Sequence, residues 1–201
     1  MYITRSTAKV LQTFTGHITE SFTLREVARR LDMHVSLAHR AMKPLLENKI
    51  IQHDKHKNLS LNYKIHHGTL AFAEYLRRDQ LFKKAKYKDL KLFTEEVLTK
   101  IKEENFILLV FGSVVDSNKP RDIDILLIVD ATEKIEFHEK FLHNIASNYT
   151  LPFEERVISF ESVYEMLAKR DEMNVMNEIL NKHVILYGAE LFYRLIQRGR
   201  S

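Results

Sequence analysis

Residues 106–129 read FILLVFGSVVDSNKPRDIDILLIV, and this stretch decides the fold. An apolar run of strand length ends at Gly112-Ser113, a polar loop follows, and a second apolar run opens with Asp-Ile-Asp. Unbroken apolar runs of this length read as strands buried on both faces. Strand periodicity puts Asp122 and Asp124 on one face. Two carboxylates side by side at the head of an apolar strand repel each other unless a cation neutralises them. A hard divalent metal is the expected partner: Mg²⁺ takes one or two carboxylates and completes its shell with phosphate oxygens. Gly112 lets the backbone approach a phosphate closely, and the Ser113 hydroxyl and amide can donate to the same group.

The order strand, Gly-Ser, loop, strand with Asp-x-Asp resembles the nucleotidyltransferase superfamily of DNA polymerase beta, in particular its minimal prokaryotic branch. The tail NKHVILYGAELFYRLI (181–196) is similar to the end of archaeal proteins that join a winged helix to such a domain. The resemblance implies transfer of a nucleoside monophosphate from an NTP to an acceptor hydroxyl, with pyrophosphate leaving and two Mg²⁺ ions assisting. Asp122 and Asp124 would hold the metals, and Gly112 and Ser113 would position the β and γ phosphates. Lys119 and Arg121 would add positive charge or remain in a solvated loop. The family also uses a third carboxylate on a later strand, as metal ligand and as base, and FEERVIS (153–159) is the matching segment. Glu154 and Glu155 point to opposite faces there, so only one qualifies. Glu155 is favoured because it is in phase with Phe153 and Val157. Two departures stand out: the loop from Ser113 to Asp122 is about two residues shorter than in many relatives, and Arg121 replaces the common serine.

Upstream, residues 69–104 read as two helical pieces separated by Lys83, Lys84, Lys86 and Lys88, which read as a solvated surface. Before them, Val10, Leu11 and Phe14 stripe a first helix over 6–18. Thr23 with Glu26 makes a capping box ahead of a second helix. In a third, Leu37, Ala41 and Leu45 point inward while Ser36, His39, Arg40 and Lys43 share the outer face. Ile50 and Ile51 start a strand, HDKHKN (53–58) is a polar turn, and Leu59, Leu61 and Tyr63 alternate on a returning strand. Two short helices and a tight turn followed by this hairpin resemble winged helix-turn-helix DNA-binding domains. Ser36, His39, Arg40 and Lys43 would then enter a major groove, and Lys55, His56 and Lys57 would meet phosphate. Pro44 departs from that pattern and is expected to kink the last turns of its helix.

The charge distribution agrees with this division. Residues 1–68 carry 11 basic against 5 acidic residues, 69–104 carry 9 against 7, and 105–201 carry 11 against 15. The first part suits a polyanion and the last suits cations. Among 201 residues, 45% apolar and 29% charged, there is no cysteine. That excludes a disulfide framework, a thiol nucleophile and a thiolate zinc site, and points to a reducing compartment. Neither His66-His67 nor His138 with His143 has ligand spacing for zinc. No apolar run is long enough for a bilayer, so a cytoplasmic protein with no membrane partner is expected. The expected architecture is α+β: a winged helix-turn-helix at 1–68 and a mixed-sheet nucleotidyltransferase domain at 69–201 with N-terminal connecting helices. DNA, an NTP and an RNA, protein or small-molecule acceptor are the expected partners. The alternative is a transcription regulator whose nucleotidyltransferase fold senses nucleotide or mediates assembly.

Overall fold

Local capping starts the chain's order. The Thr4 side chain accepts from the Thr7 amide at 3.1 Å and opens α1 (Arg5–Thr15). After β1 (Ser21–Phe22) the Thr23–Glu26 capping box opens α2 (Leu24–Arg30), each side chain accepting from the other residue's amide. Then come α3 (Val35–Glu47), β2 (Ile51–His53) and β3 (Leu59–Leu61). The helix α3 continues through Pro44 to Glu47. Its inward face is Ala38, Ala41, Met42 and Leu45, whereas Leu37 is exposed rather than inward as its spacing suggested. A step of four residues advances a helix slightly past a full turn, so the buried stripe drifts from 37 to 38. The three strands form an antiparallel sheet in the order β1-β3-β2.

Two helices, α4 (His67–Phe82) and α5 (Lys88–Lys100), follow, with a single 3₁₀ turn at Ala85–Tyr87 between them. The expected break at residue 68 thus falls within the first turn of α4. The second sheet is assembled from β4 (Phe106–Phe111), β5 (Ile123–Val129), β6 (Phe153–Ser159) and β7 (His183–Tyr187). Its order is β6-β5-β4-β7, with β4 antiparallel to both neighbours and β5 parallel to β6. The short α6 (Ser113–Asp116), α7 (Ile135–Ala146), α8 (Phe160–Ala168), α9 (Val175–Ile179) and α10 (Ala189–Gly199) complete the chain. The computed structural model describes residues 2–117 and 121–200 and is a mixed α+β structure with two small sheets.

The central sheet is covered on both faces, which explains why β4 and β5 read as continuous apolar runs. One face, with Leu108, Val110, Ile125 and Leu127, packs on Leu90, Phe93 and Val97 of α5 and Leu142 and Ile145 of α7. The other, with Ile107, Leu109, Leu126 and Ile128, packs on Leu167, Ile179, Phe192 and Ile196. That second core continues without interruption through Leu70 and Ala73 of α4 into Val10, Leu11, Phe14, Leu45 and Ile51. The N-terminal helices and the four-stranded sheet therefore share one apolar core. Ile18 N–H also donates to the Leu180 carbonyl at 2.9 Å, and Thr19 and Asn181 exchange side-chain hydrogen bonds. Among the described residues no helix is long and apolar enough to cross a membrane.

Candidate functional site

The acidic pair sits where β5 leaves the loop. Asp124 lies opposite Phe111 at the end of β4 and opposite Glu154 on β6. Directly opposed residues share a face, so Asp124 and Glu154 project together, and Asp122 joins them by period two. Glu155 lies opposite Ile125 and belongs to the other face, where its carboxylate is 3.9 Å from His143 of α7. Glu155, expected as the third carboxylate, therefore lies on the α7 side, and Glu154 shares the aspartates' face. Phe153 and Val157 pack towards α5 and α7, while Asp122, Asp124, Glu154 and Arg156 occupy the margin of the opposite face.

The Gly112–Ser113 turn closes against this margin. Gly112 adopts φ +66°, and a methyl group built on it would collide with Asp124 Oδ2. Only glycine meets both demands, and the carboxylate consequently rests against the turn's backbone. The Ser113 hydroxyl oxygen is buried and has no hydrogen-bond partner among the described residues. A buried hydroxyl without a partner is unusual and leaves an uncommitted donor next to the turn. Asp116, at the end of α6, is bridged by Lys182 at 3.3 Å.

The electrostatics agree with a crowded anionic site. Burial pushes the Asp124 carboxyl up from its ordinary range, and the charges of Asp122, Glu154 and Glu178 push it further, against the pull of Arg156. Arg156 lies 3.8 Å from Glu154 and over the Phe111 ring at 5.8 Å. Arg156 and Glu178 also line an open cleft of about 640 Å³ with Arg170, Asn174 and Asn177. Asn177 donates to the carbonyls of Lys169 and Glu172 at 3.0 and 2.8 Å, which ties down the loop that forms the cleft's outer wall. Arg121 precedes β5 and is exposed; Lys119 lies outside the described residues.

Among the described residues no group of three His, Asp or Glu side chains gathers closely enough to cage a metal by itself. Asp122 and Asp124 remain a donor pair of the kind Mg²⁺ uses when it takes one or two carboxylates and fills its shell with phosphate and water. After burial, the neighbouring carboxylates raise Asp124, and these are charges that a cation would neutralise. This donor pair fits Mg²⁺ bound together with phosphate oxygens.

The N-terminal candidates are all exposed: Ser36, His39, Arg40 and Lys43 share the outer face of α3. Ser36 Oγ is held 2.8 Å from His34 Nδ1, and Lys43 reaches Glu47 at 3.8 Å. Lys55, His56 and Lys57 form the β2–β3 turn, which Asp54 organises by accepting from the His56 and Asn58 amides at 2.8 Å each. The lysines are thereby offered to solvent on a fixed turn. No family model, no curated protein and no solved structure matches the chain.

Residues that the sequence reading passed over also matter. Arg156 and Glu178 act on Asp124 through a strand register and a helix contact that no local pattern reveals. Glu74, Arg77, His183 and Tyr193 form a buried polar cluster: Arg77 pairs with Glu74 at 2.7 Å and the Tyr193 hydroxyl donates to Glu74 at 2.9 Å. Arg77 also donates to the His183 carbonyl, and His183 stands opposite Phe111, next but one to Asp124 across the sheet.

Proposed function

We propose that this protein is a nucleotidyltransferase with an N-terminal winged helix-turn-helix that contacts DNA, and that its acceptor is a hydroxyl. The observation that carries the reading is the convergence of Asp122, Asp124 and Glu154 on one sheet margin against the Gly112–Ser113 turn. Asp122 and Asp124 would hold Mg²⁺, with Glu154 beside them. When bound, the metal supplies neutralisation of phosphate charge and polarisation of the reacting phosphoryl group. Ser113 donates its free hydroxyl to the triphosphate, and the Gly112 backbone allows that close approach. Glu154, on the solvent side of Asp124, accepts the proton of the acceptor hydroxyl as its oxygen bonds to the α-phosphorus and the bond to pyrophosphate breaks. The cleft bounded by Arg156, Arg170 and Glu178 offers the acceptor its place.

One observation favours a second reading, in which the site senses nucleotide without turning it over. Glu154 is 3.8 Å from Arg156, which engages the carboxylate that a base would need free. Turnover of labelled NTPs with Mg²⁺ and cell extract separates the two. An enzyme loses nearly all turnover in Glu154→Gln while NTP affinity changes little, and Glu155→Gln stays near wild type. A sensor shows no turnover in any variant, yet NTP shifts DNA affinity, and DNA shifts NTP affinity by the same factor. Retained turnover in Glu154→Gln would remove the assigned base.

A further inference from the structure

Three shallow clefts beside α4 share residues and so form one groove. The first, about 350 Å³, lies between α1 and α4 and is lined by Arg5, Lys9, Phe72 and Lys83. It shares Lys9, Gln12 and Gln80 with a second, about 430 Å³, which adds Arg30, Asp32 and Arg77. A third, about 170 Å³, takes Arg77 and Gln80 on to Lys84 and to Val115 of α6, the helix that starts at Ser113. The groove therefore runs from the basic N-terminal helices to the back of the Gly112–Ser113 turn.

Its charge is one-sided. Arg5, Lys9, Arg30, Arg77, Lys83 and Lys84 face only Asp32 and Asp79 along these walls. Asp79 is already paired with Lys83 at 2.6 Å, and Arg77 is matched from within by Glu74. Arg5, Lys9 and Lys84 have no ion pair among the described residues. The positive field is felt by His17, whose pKa burial lowers and the charges of Arg30 and Arg77 lower further, against Glu20. Phe72 is exposed on the wall of the groove, and Tyr75 is exposed nearby on α4 under the Arg78 guanidinium at 4.8 Å. From Phe72 to Phe82 the helix covers roughly 15 Å, room for a few consecutive phosphates. Separate cations on a track with an exposed ring beside it are how single strands are held: phosphates on the charges, a base on the ring. An exposed ring beside the cations favours a strand whose base faces are free over a duplex, whose bases are stacked inward.

We propose that this groove binds single-stranded nucleic acid, with phosphates on Arg5, Lys9 and Lys84 and a base stacked on Phe72. The surface is distinct from the outer face of α3, and it does not depend on chemistry at the aspartates. The test is fluorescence anisotropy on the full chain with 12-nucleotide oligo-dT and oligo-U at low salt. Both strands bind the wild type, because phosphates and base faces are common to them. The double substitution Lys9→Glu, Lys84→Glu weakens binding at least tenfold and reduces the salt slope by about 1.4, the loss of two phosphate contacts on a single strand. Phe72→Ala weakens it at least fivefold, within the range of one stacked base. All three positions are exposed, so thermal melting stays at the wild-type value and duplex affinity set by Arg40 is unchanged. No binding of either 12-mer, wild-type affinity in the double variant, or an equal loss for duplex overturns the proposal. So does an ineffective Phe72→Ala with poly-glutamate competing as well as the oligonucleotides, which would make the groove an acidic-polypeptide site.

Discussion

Asp124 shows how burial among like charges costs stability at a single residue. Its carboxyl is raised by burial first, then by Asp122, Glu154 and Glu178. A folded-state pKa above the unfolded one means the folded form binds the proton more tightly. The protein then loses relative stability as pH rises from about 3.9, the ordinary Asp value, through the raised value. Asp124→Asn keeps the shape and removes the charge. Its metal-free melting temperature is expected to exceed wild type at pH 7 and to match it at pH 3, and added Mg²⁺ with NTP should stabilise only the wild type. Scanning calorimetry at the two pH values checks this; a variant less stable at pH 7 would show that Asp124 is held by unseen favourable contacts rather than crowded by anions. Glu154 and Glu155 make a second lesson at this scale. One step along β6 exchanges the aspartates' face for the α7 face, so identical side chains in adjacent positions have unrelated surroundings.

At the scale of elements, α3 and the β2–β3 turn would, on the proposed reading, present different contacts to a duplex. Arg40 projects from a helix face, and an Arg inserted in a major groove reads base edges, each good pair contributing about 1–3 kcal/mol of discrimination. Lys57 is exposed on a turn at φ +64°, and on the proposed reading it would meet backbone phosphate. Arg40→Ala is expected to weaken a preferred site about 5- to 100-fold with little effect on random duplex. Lys57→Ala should weaken all sequences alike and lower the salt slope by about one unit. Electrophoretic mobility shifts over a salt series distinguish them. Equal, sequence-blind losses in both variants would make α3 a phosphate-contacting helix rather than a reading one. Pro44 constrains the same element: it removes the hydrogen bond to the Arg40 carbonyl, yet Asn48 Nδ2 donates back to the Pro44 carbonyl at 2.8 Å and secures the helix end.

Across the whole molecule, the buried cluster on α4 ties the N-terminal helices to the sheet. Arg77 lies beneath Gly16 at the end of α1, pairs with Glu74, and donates to the carbonyl that begins β7. Burial alone would raise the Glu74 carboxyl, but the Arg77 and His183 charges and the Tyr193 hydroxyl lower it below its ordinary value. A depressed folded pKa contributes stability above the unfolded value, about 4.3, and that contribution is lost as pH falls. Removing one partner of a buried pair leaves the other charge stranded, a cost of about 3–5 kcal/mol. Glu74→Ala is therefore expected to lower the melting temperature by about 10 °C at pH 7, with the gap narrowing below about pH 4. Thermal melts monitored by circular dichroism would read it; an unchanged midpoint would mean that the two parts are held together by apolar burial alone.

The strands at 106–111 and 123–129, the capping box at Thr23 and the hairpin after α3 were legible in the sequence, because each follows from local periodicity or from hydrogen bonds within a few residues, whereas the strand at 153–159 was read only from the resemblance. The pairing of Asp122 with Asp124 on one face was legible for the same reason, since period two acts within one strand. Which glutamate joins them was not: that choice depends on which face of β6 aligns with which face of β5, and on α5 and α7 covering one side while α8, α9 and α10 cover the other. Leu37 and Leu45 looked equivalent until the packing of α3 against α1 selected Ala38 instead. The boundary at residue 68 was read from composition and charge, but α4 begins at His67 and buries Leu70 and Ala73 in a core common to both parts. Burial is decided by what each face meets, and contacts between Glu74, His183 and Tyr193 join residues more than a hundred positions apart. No local pattern encodes such contacts; only the closed structure brings them together.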